Sequence, residues 1–178
     1  MQPTPQSEPS VLSNGPSDAA VTASLAAALG RIPSGLFVVT WLAAGRDRGM
    51  LASWVMQAGF DPPLVTVAVG GSRDLLASVD AGAAFVVNVL ADSQRALVGR
   101  FARPSGEAAD PFSDLTVGRT PCGAAALPET AAWLECRPVA RADVGTGDHA
   151  VVVARVVAAS AAAERAPMVH LRRNGLRY

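Results

Sequence analysis

Gly49-Met-Leu-Ala-Ser-Trp-Val-Met-Gln-Ala-Gly-Phe-Asp-Pro-Pro63 is an apolar run carrying polar residues where a core segment should have none. Asp61-Pro62-Pro63 ends it firmly, because each proline fixes φ and removes a backbone donor. Met50 to Ala58 is long enough for a strand. Ser53 and Gln57 lie within it, and a buried polar group must find a partner in the protein or in a ligand. A strand edge or bend with local hydrogen bonds would satisfy them equally well, so both readings stand on the local sequence.

Outward from this run the chain has a β-type period. Leu36 to Leu42 (LFVVTWL) is rich in branched and aromatic residues, as strands are. The polar Gly45–Gly49 segment (GRDRG) is expected to turn the chain. Leu64 to Val69 (LVTVAV) and Phe85 to Leu90 (FVVNVL) are further strands, with three more at about 131–144, 150–159 and 167–173. Between them the pattern predicts short helices. One is capped by Ser72 and carries Leu75, Leu76 and Val79. Another opens at Asp92 or Ser93 and carries Leu97, Val98 and Phe101. An earlier helix is predicted over about 19–29, with Val21, Leu25 and Leu29 on one face and Gly30 as its stop. Residues 1–17, rich in Pro, Ser, Gln and Gly, read as a flexible tail, leaving 18–178 as one domain. Residues 102–128 exceed ordinary connection length and are expected to be a functional or mobile excursion. Many strands with a few helices, lacking regular βαβ alternation, predict a mainly β barrel with helices outside it.

Composition narrows the function classes. The chain has 178 residues, half of them apolar, and a formal net charge of zero. A nucleic-acid surface needs excess Lys and Arg, so the neutral balance argues against that class. No run approaches the ~18 apolar residues of a membrane span, and the start lacks a signal-peptide pattern. The expectation is a cytoplasmic protein. Cys122 and Cys136 form no CxxC pair, and Cys136 alternates with Leu134 on an inward face, so both read as plain thiols. His149 and His170 show no ligand spacing, and no metal site is expected.

Four local features bear on chemistry. Gly145-Thr146-Gly147-Asp148-His149-Ala150 matches GxGxxA, but the residues that follow it, VVVARVV, favour strand. A dinucleotide fingerprint requires a helix there. The glycines instead predict a hairpin turn that projects His149 at a strand start. Ser72-Arg73 at a helix start could form an anion site or be an ordinary cap beside a solvated arginine. Asn88, in mid-strand, is either satisfied by neighbouring backbone or turned toward a bound polar ring. His149 could donate to a ligand or cap its turn.

In their order and spacing RIPSGLFVVT, GMLASWVMQAGFDPPLVTVAV, FVVNVL, WLEC and GDHAVVVARV resemble the flavin reductase-like family, with its FMN-binding split barrel. The likeness extends over about residues 27–178. It is greatest to the flavin reductase module at the C-terminal end of diflavin flavoproteins. The resemblance implies that Ala52, Ser53, Trp54 and Val55 line the isoalloxazine and ribityl chain, and that Ser72 and Arg73 lie near the phosphate. It implies Asn88 and Leu90 on a strand flanking the pocket, and Pro33, Ser34 and Gly35 at a bend near the ring. It also puts Asp148 and His149 beside flavin and nicotinamide, with His149 as the catalytic group. The activity implied is hydride transfer from NADH or NADPH to FMN or FAD by a homodimer, with a monooxygenase partner receiving reduced flavin. The alternative is an FMN-binding electron carrier reduced by a partner protein. The sequence departs from the family pattern at Trp54, Gln57 and Gly59.

Overall fold

The computed structural model describes residues 17–103, 110–143, 145 and 147–176. They divide between two compact units, Met1–Ile32 with Leu171–Tyr178 and Pro33–His170. The smaller holds helix α1 (Asp18–Leu29), capped by the Ser17 side chain, which accepts from the Ala20 amide. The face predicted from Val21, Leu25 and Leu29 is the exposed one, and only Ala26 is buried. Gly30 ends the helix at φ −65°, in the right-handed region. Its missing Cβ matters for packing instead: a methyl group there would lie 2.8 Å from the Arg172 carbonyl oxygen.

In the larger unit, β1 (Ser34–Gly35) is followed by β2 (Phe37–Ala43), β3 (Arg46–Ala52), β4 (Val55–Gly59) and β5 (Leu64–Gly70). Then come α2 (Leu75–Asp80), β6 (Phe85–Val89), α3 (Arg95–Phe101), β7 (Gly118–Arg119) and β8 (Ala125–Ala126). The last are β9 (Ala132–Asp143), β10 (His149–Ala161) and β11 (Val169–His170). Seven strands form one antiparallel sheet in the order β3-β2-β6-β9-β10-β5-β4.

Its two edges, β3 and β4, are consecutive in sequence, joined only by Ser53 and Trp54. Six antiparallel pairings make β3 and β4 run in the same direction, so they are the two halves of one bent strand. Laid flat, seven strands would hold their edges about 29 Å apart. Three Cα steps from Ala52 to Val55 reach about 11 Å at most. The sheet therefore curls until its edges meet, with a split at Ser53–Trp54 rather than a ladder. The expected mainly β split barrel with flanking helices is the fold observed.

The inner face carries Val39, Trp41, Val65, Val67, Val69, Phe85, Val87, Cys136, Ala150, Val152 and Ala154, together with Leu75, Leu76 and Val79 of α2. Burial of the Cys136 thiol, with Glu135 and Cys122 nearby, pushes its pKa up to about 12, so it is an inert thiol at neutral pH.

A second apolar cluster lies outside the barrel, built from Leu36, Val38, Leu90, Leu97, Phe101, Phe112, Ala125, Leu127 and Met168. The excursion after α3 thus packs as structure over its described part. Three buried polar side chains on the outer face of the sheet hold it. Thr40 Oγ1 donates to the Ala125 carbonyl at 2.5 Å, the Leu127 amide to Asn88 Oδ1 at 2.8 Å, and the Cys122 amide to Glu135 Oε2 at 2.9 Å.

Four local expectations need correction. Arg46–Gly49 belongs to β3, and the turn is Ala44–Gly45, where both φ values are positive. Helix α2 begins after Asp74, two residues beyond Ser72, and has no side-chain cap. The cap position of α3 is Gln94, not Asp92 or Ser93; its side chain accepts from the Ala91 amide and donates to the Pro128 carbonyl. The final strand is limited to Val169–His170, paired with Ser34–Gly35.

Candidate functional site

The bend of the long strand and two turns converge beside the split. The backbone at Trp54 is fixed by its carbonyl, which accepts from the Ala68 amide at 2.9 Å. The residue is 41% exposed, and its ring centre lies 4.8 Å from that of His149, tilted by 57°. His149 opens β10 opposite Gly70, the last residue of β5. The turn before it is a hairpin between antiparallel strands, as the VVVARVV run predicted, with Val144 and Thr146 outside the described residues.

Asp148 orients the histidine. His149 Nδ1 and Asp148 Oδ1 are 2.7 Å apart, and this bond, with charge attraction, holds the Asp148 carboxyl below the usual range. A carboxylate can only accept, so it selects the tautomer protonated at Nδ1. Nε2 is then turned toward Gly70, lying 3.9 Å from where a Cβ there would sit, while Arg73 Cγ lies 3.8 Å from the same point. The Gly71 amide donates to the Asp148 carbonyl at 2.9 Å, tying the two turns together. At Gly71 a Cβ would meet only that carbonyl oxygen, at 3.6 Å. Two successive glycines thus leave an uncrowded shelf between Arg73 and the His149 ring. Arg73 joins none of the ion pairs among the described residues.

The structure therefore brings together Trp54, Arg73, Asp148 and His149. Ser53 is buried at the bend, Ala52 and Val55 end and begin the strand halves beside it, and Ser72 is exposed on the glycine turn. Pro33, Ser34 and Gly35 precede Phe37, which lies opposite Ala52, and a Cβ on Gly35 would strike the Phe37 ring at 2.5 Å. Asn88 and Leu90 stand apart, both fully buried. The Asn88 amide donates to the Val38 carbonyl at 3.0 Å and to Thr40 Oγ1 at 3.1 Å. Gly70 and Gly71 were not singled out from sequence; a double glycine ending a strand ahead of Ser-Arg was the available signal.

Residues 29–176 match the family described as Flavin reductase like domain. Diflavin flavoprotein A 1 of Synechocystis sp. (strain ATCC 27184 / PCC 6803 / Kazusa) is 34% identical over 153 residues, which cover 85% of this chain and 26% of that protein. The chain thus spans about a quarter of the length of the curated relatives it matches. Among solved structures, an NADH:FAD oxidoreductase of Streptomyces globisporus C-1027, in complex with NAD and FAD fragments, superposes with a TM-score of 0.74. It is 27% identical, covering 85% of this chain and 87% of that one. The flavin reductase component of a bacterial two-component tryptophan halogenase gives a TM-score of 0.71 at 27% identity, over 80% and 89% of the two chains.

Proposed function

The chain belongs to the flavin reductase like domain family, and from that premise we propose that it binds flavin at the Trp54–Arg73–His149 site and reduces it with NADH or NADPH. The observation that carries this reading is the glycine shelf at Gly70–Gly71, flanked by an arginine on one side and an oriented histidine on the other. A flat ring with an anionic tail fits such a shelf. Arg73 and the exposed Ser72 turn would hold the phosphate, and the bend at Ala52–Val55 would face the ring.

Bound flavin accepts a hydride at its ring, chemistry that belongs to the cofactor. The protein supplies position and electrostatics. His149, held by Asp148, would stabilise negative charge on a reduced ring as the doubly protonated imidazolium, in which Nε2 also donates. Trp54 provides a half-exposed aromatic wall that excludes water from one side. Strong acid/base pairs are not required for the transfer itself. Reduced flavin would pass to a monooxygenase-type partner, a reading supported by the halogenase neighbour, which is the flavin reductase component of a two-component system.

The proposed assembly is a homodimer. Two adjacent cross-strand rows on the outer face of β4-β5-β10-β9 contain no charge: Met56, Thr66, Val153, Ala140 and Trp54, Ala68, Val151, Ala142. A solvated antiparallel face normally alternates to polar residues, and these rows, exposed at Trp54, Met56, Ala140 and Ala142 and half-buried between them, are what supports a subunit contact there.

The test is anaerobic titration of purified protein with FMN, FAD, NADH and NADPH, followed near the flavin absorption maximum. Flavin is expected to bind and to bleach on addition of a nicotinamide, with His149→Ala slowing bleaching by roughly 10²-fold. Binding without bleaching would favour the electron-carrier alternative. No binding of either flavin would overturn the reading.

A further inference from the structure

We propose that the barrel holds a second ligand position, for a small anion, between Trp41 of β2 and Arg48 of β3. Among the described residues, two side-chain nitrogens are buried without a hydrogen-bond partner: Trp41 Nε1 and Arg48 Nε. They do not fall at random. Trp41 and Arg48 stand directly opposite each other in the β2–β3 ladder, so both side chains leave the same face of the sheet with Cβ atoms about 5 Å apart. That face is the barrel interior, where Trp41 is 1% exposed and belongs to the same buried cluster as Phe85 and the apolar side of α2.

Neither group can satisfy the other. An indole N–H and a guanidinium are donors only, and a buried donor left unpaired is rare in native proteins. An acceptor is needed, and beside a guanidinium it is best negatively charged. The neighbouring carboxylates are engaged elsewhere. Asp47, next in sequence to Arg48, is paired with Arg119, and Glu135 on the outer face of the sheet accepts from the Cys122 amide. Arg48 takes part in none of the ion pairs among the described residues. The acceptor that fits is a small external anion, chloride or one oxygen of phosphate, admitted along the half-buried Arg48 side chain. The position is distinct from the flavin site, since Arg48 lies four residues along β3 from Ala52, about 13 Å.

Two measurements test it on the full chain. Crystals soaked in sodium bromide should show an anomalous peak within hydrogen-bond distance of both nitrogens. In solution, the thermal unfolding midpoint should rise saturably with chloride, bromide or phosphate, compared with sodium methanesulfonate at equal ionic strength. Chloride and phosphate arms identify which anion is bound. The rise should be absent in Arg48→Met, which keeps the aliphatic stem, and in Trp41→Phe, which keeps a ring. If Trp41→Phe fails to fold, Arg48→Gln serves as the second variant. An ordered water at that position in place of bromide, or the same midpoint shift in wild type and variants, would overturn the proposal.

Discussion

Asp148, exposed, and His149, its side chain mostly buried, form a pair in which the behaviour of the carboxyl with pH has a definite sign. The carboxyl is held below its ordinary range by the His149 Nδ1 bond and by charge attraction. A depressed carboxyl keeps its contribution in full above the ordinary value near pH 3.9 and loses it as pH falls through the lowered one. Carboxyl-carbon NMR should place the Asp148 midpoint below that of a reference peptide. His149→Phe, which keeps a ring beside Trp54, should return it to the ordinary range. Asn88 shows what single residues disclose in advance. Mid-strand burial demanded partners for its amide, and the sequence said so. It could not say which partners, because Val38, Thr40 and Leu127 lie 50, 48 and 39 residues away. Asn88→Ala would leave the buried Leu127 amide unpaired. It should cost about 2 kcal/mol in denaturant unfolding and speed hydrogen exchange across 120–127.

Strand identity was legible wherever branched residues ran together, since a barrel stave packed on both faces reads as a nearly continuous apolar run. Helix starts were less so. The serines that suggested caps at α2 and α3 lie outside the first turn, and tertiary contacts, such as the Gln94 bonds to Ala91 and Pro128, define the start of α3 instead. The described part of the excursion after α3 packs as structure because its few large residues, Phe112 and Leu127 among them, go inward. Packing between α3 and β3 depends on one missing side chain. A Cβ on Gly49 would lie 2.8 Å from Phe101 Cε1 and 3.0 Å from Phe112 Cζ, which pack edge to face 5.3 Å apart. Gly49→Ala should therefore destabilise the protein by about 1–3 kcal/mol through overpacking, read as a lower urea midpoint with an unchanged slope.

For the whole molecule, the uncharged rows on β4-β5-β10-β9 make oligomeric state the quantity to measure. Light scattering at tens of micromolar, on the scale of ordinary assembly, should give twice the chain mass. Thr66→Arg with Val153→Glu should give the monomer, with the strand content unchanged by circular dichroism. A monomeric wild type would refute the interface. The family and barrel were legible from the order of short phrases along the chain. The meeting of Trp54 with His149 was not, because 95 positions separate them and only closure of the sheet brings them together. That closure has a mechanical consequence. The edges β3 and β4 are held by a covalent stitch, not by a ladder, and the stitch is also the proposed wall of the flavin site. Opening the chain between Ser53 and Trp54, with new termini there, would spare every strand pairing yet free the sheet to uncurl. The fold could keep its secondary structure and lose its pocket in one cut, and a ligand that bridges the two halves would act as a noncovalent replacement for the missing bond.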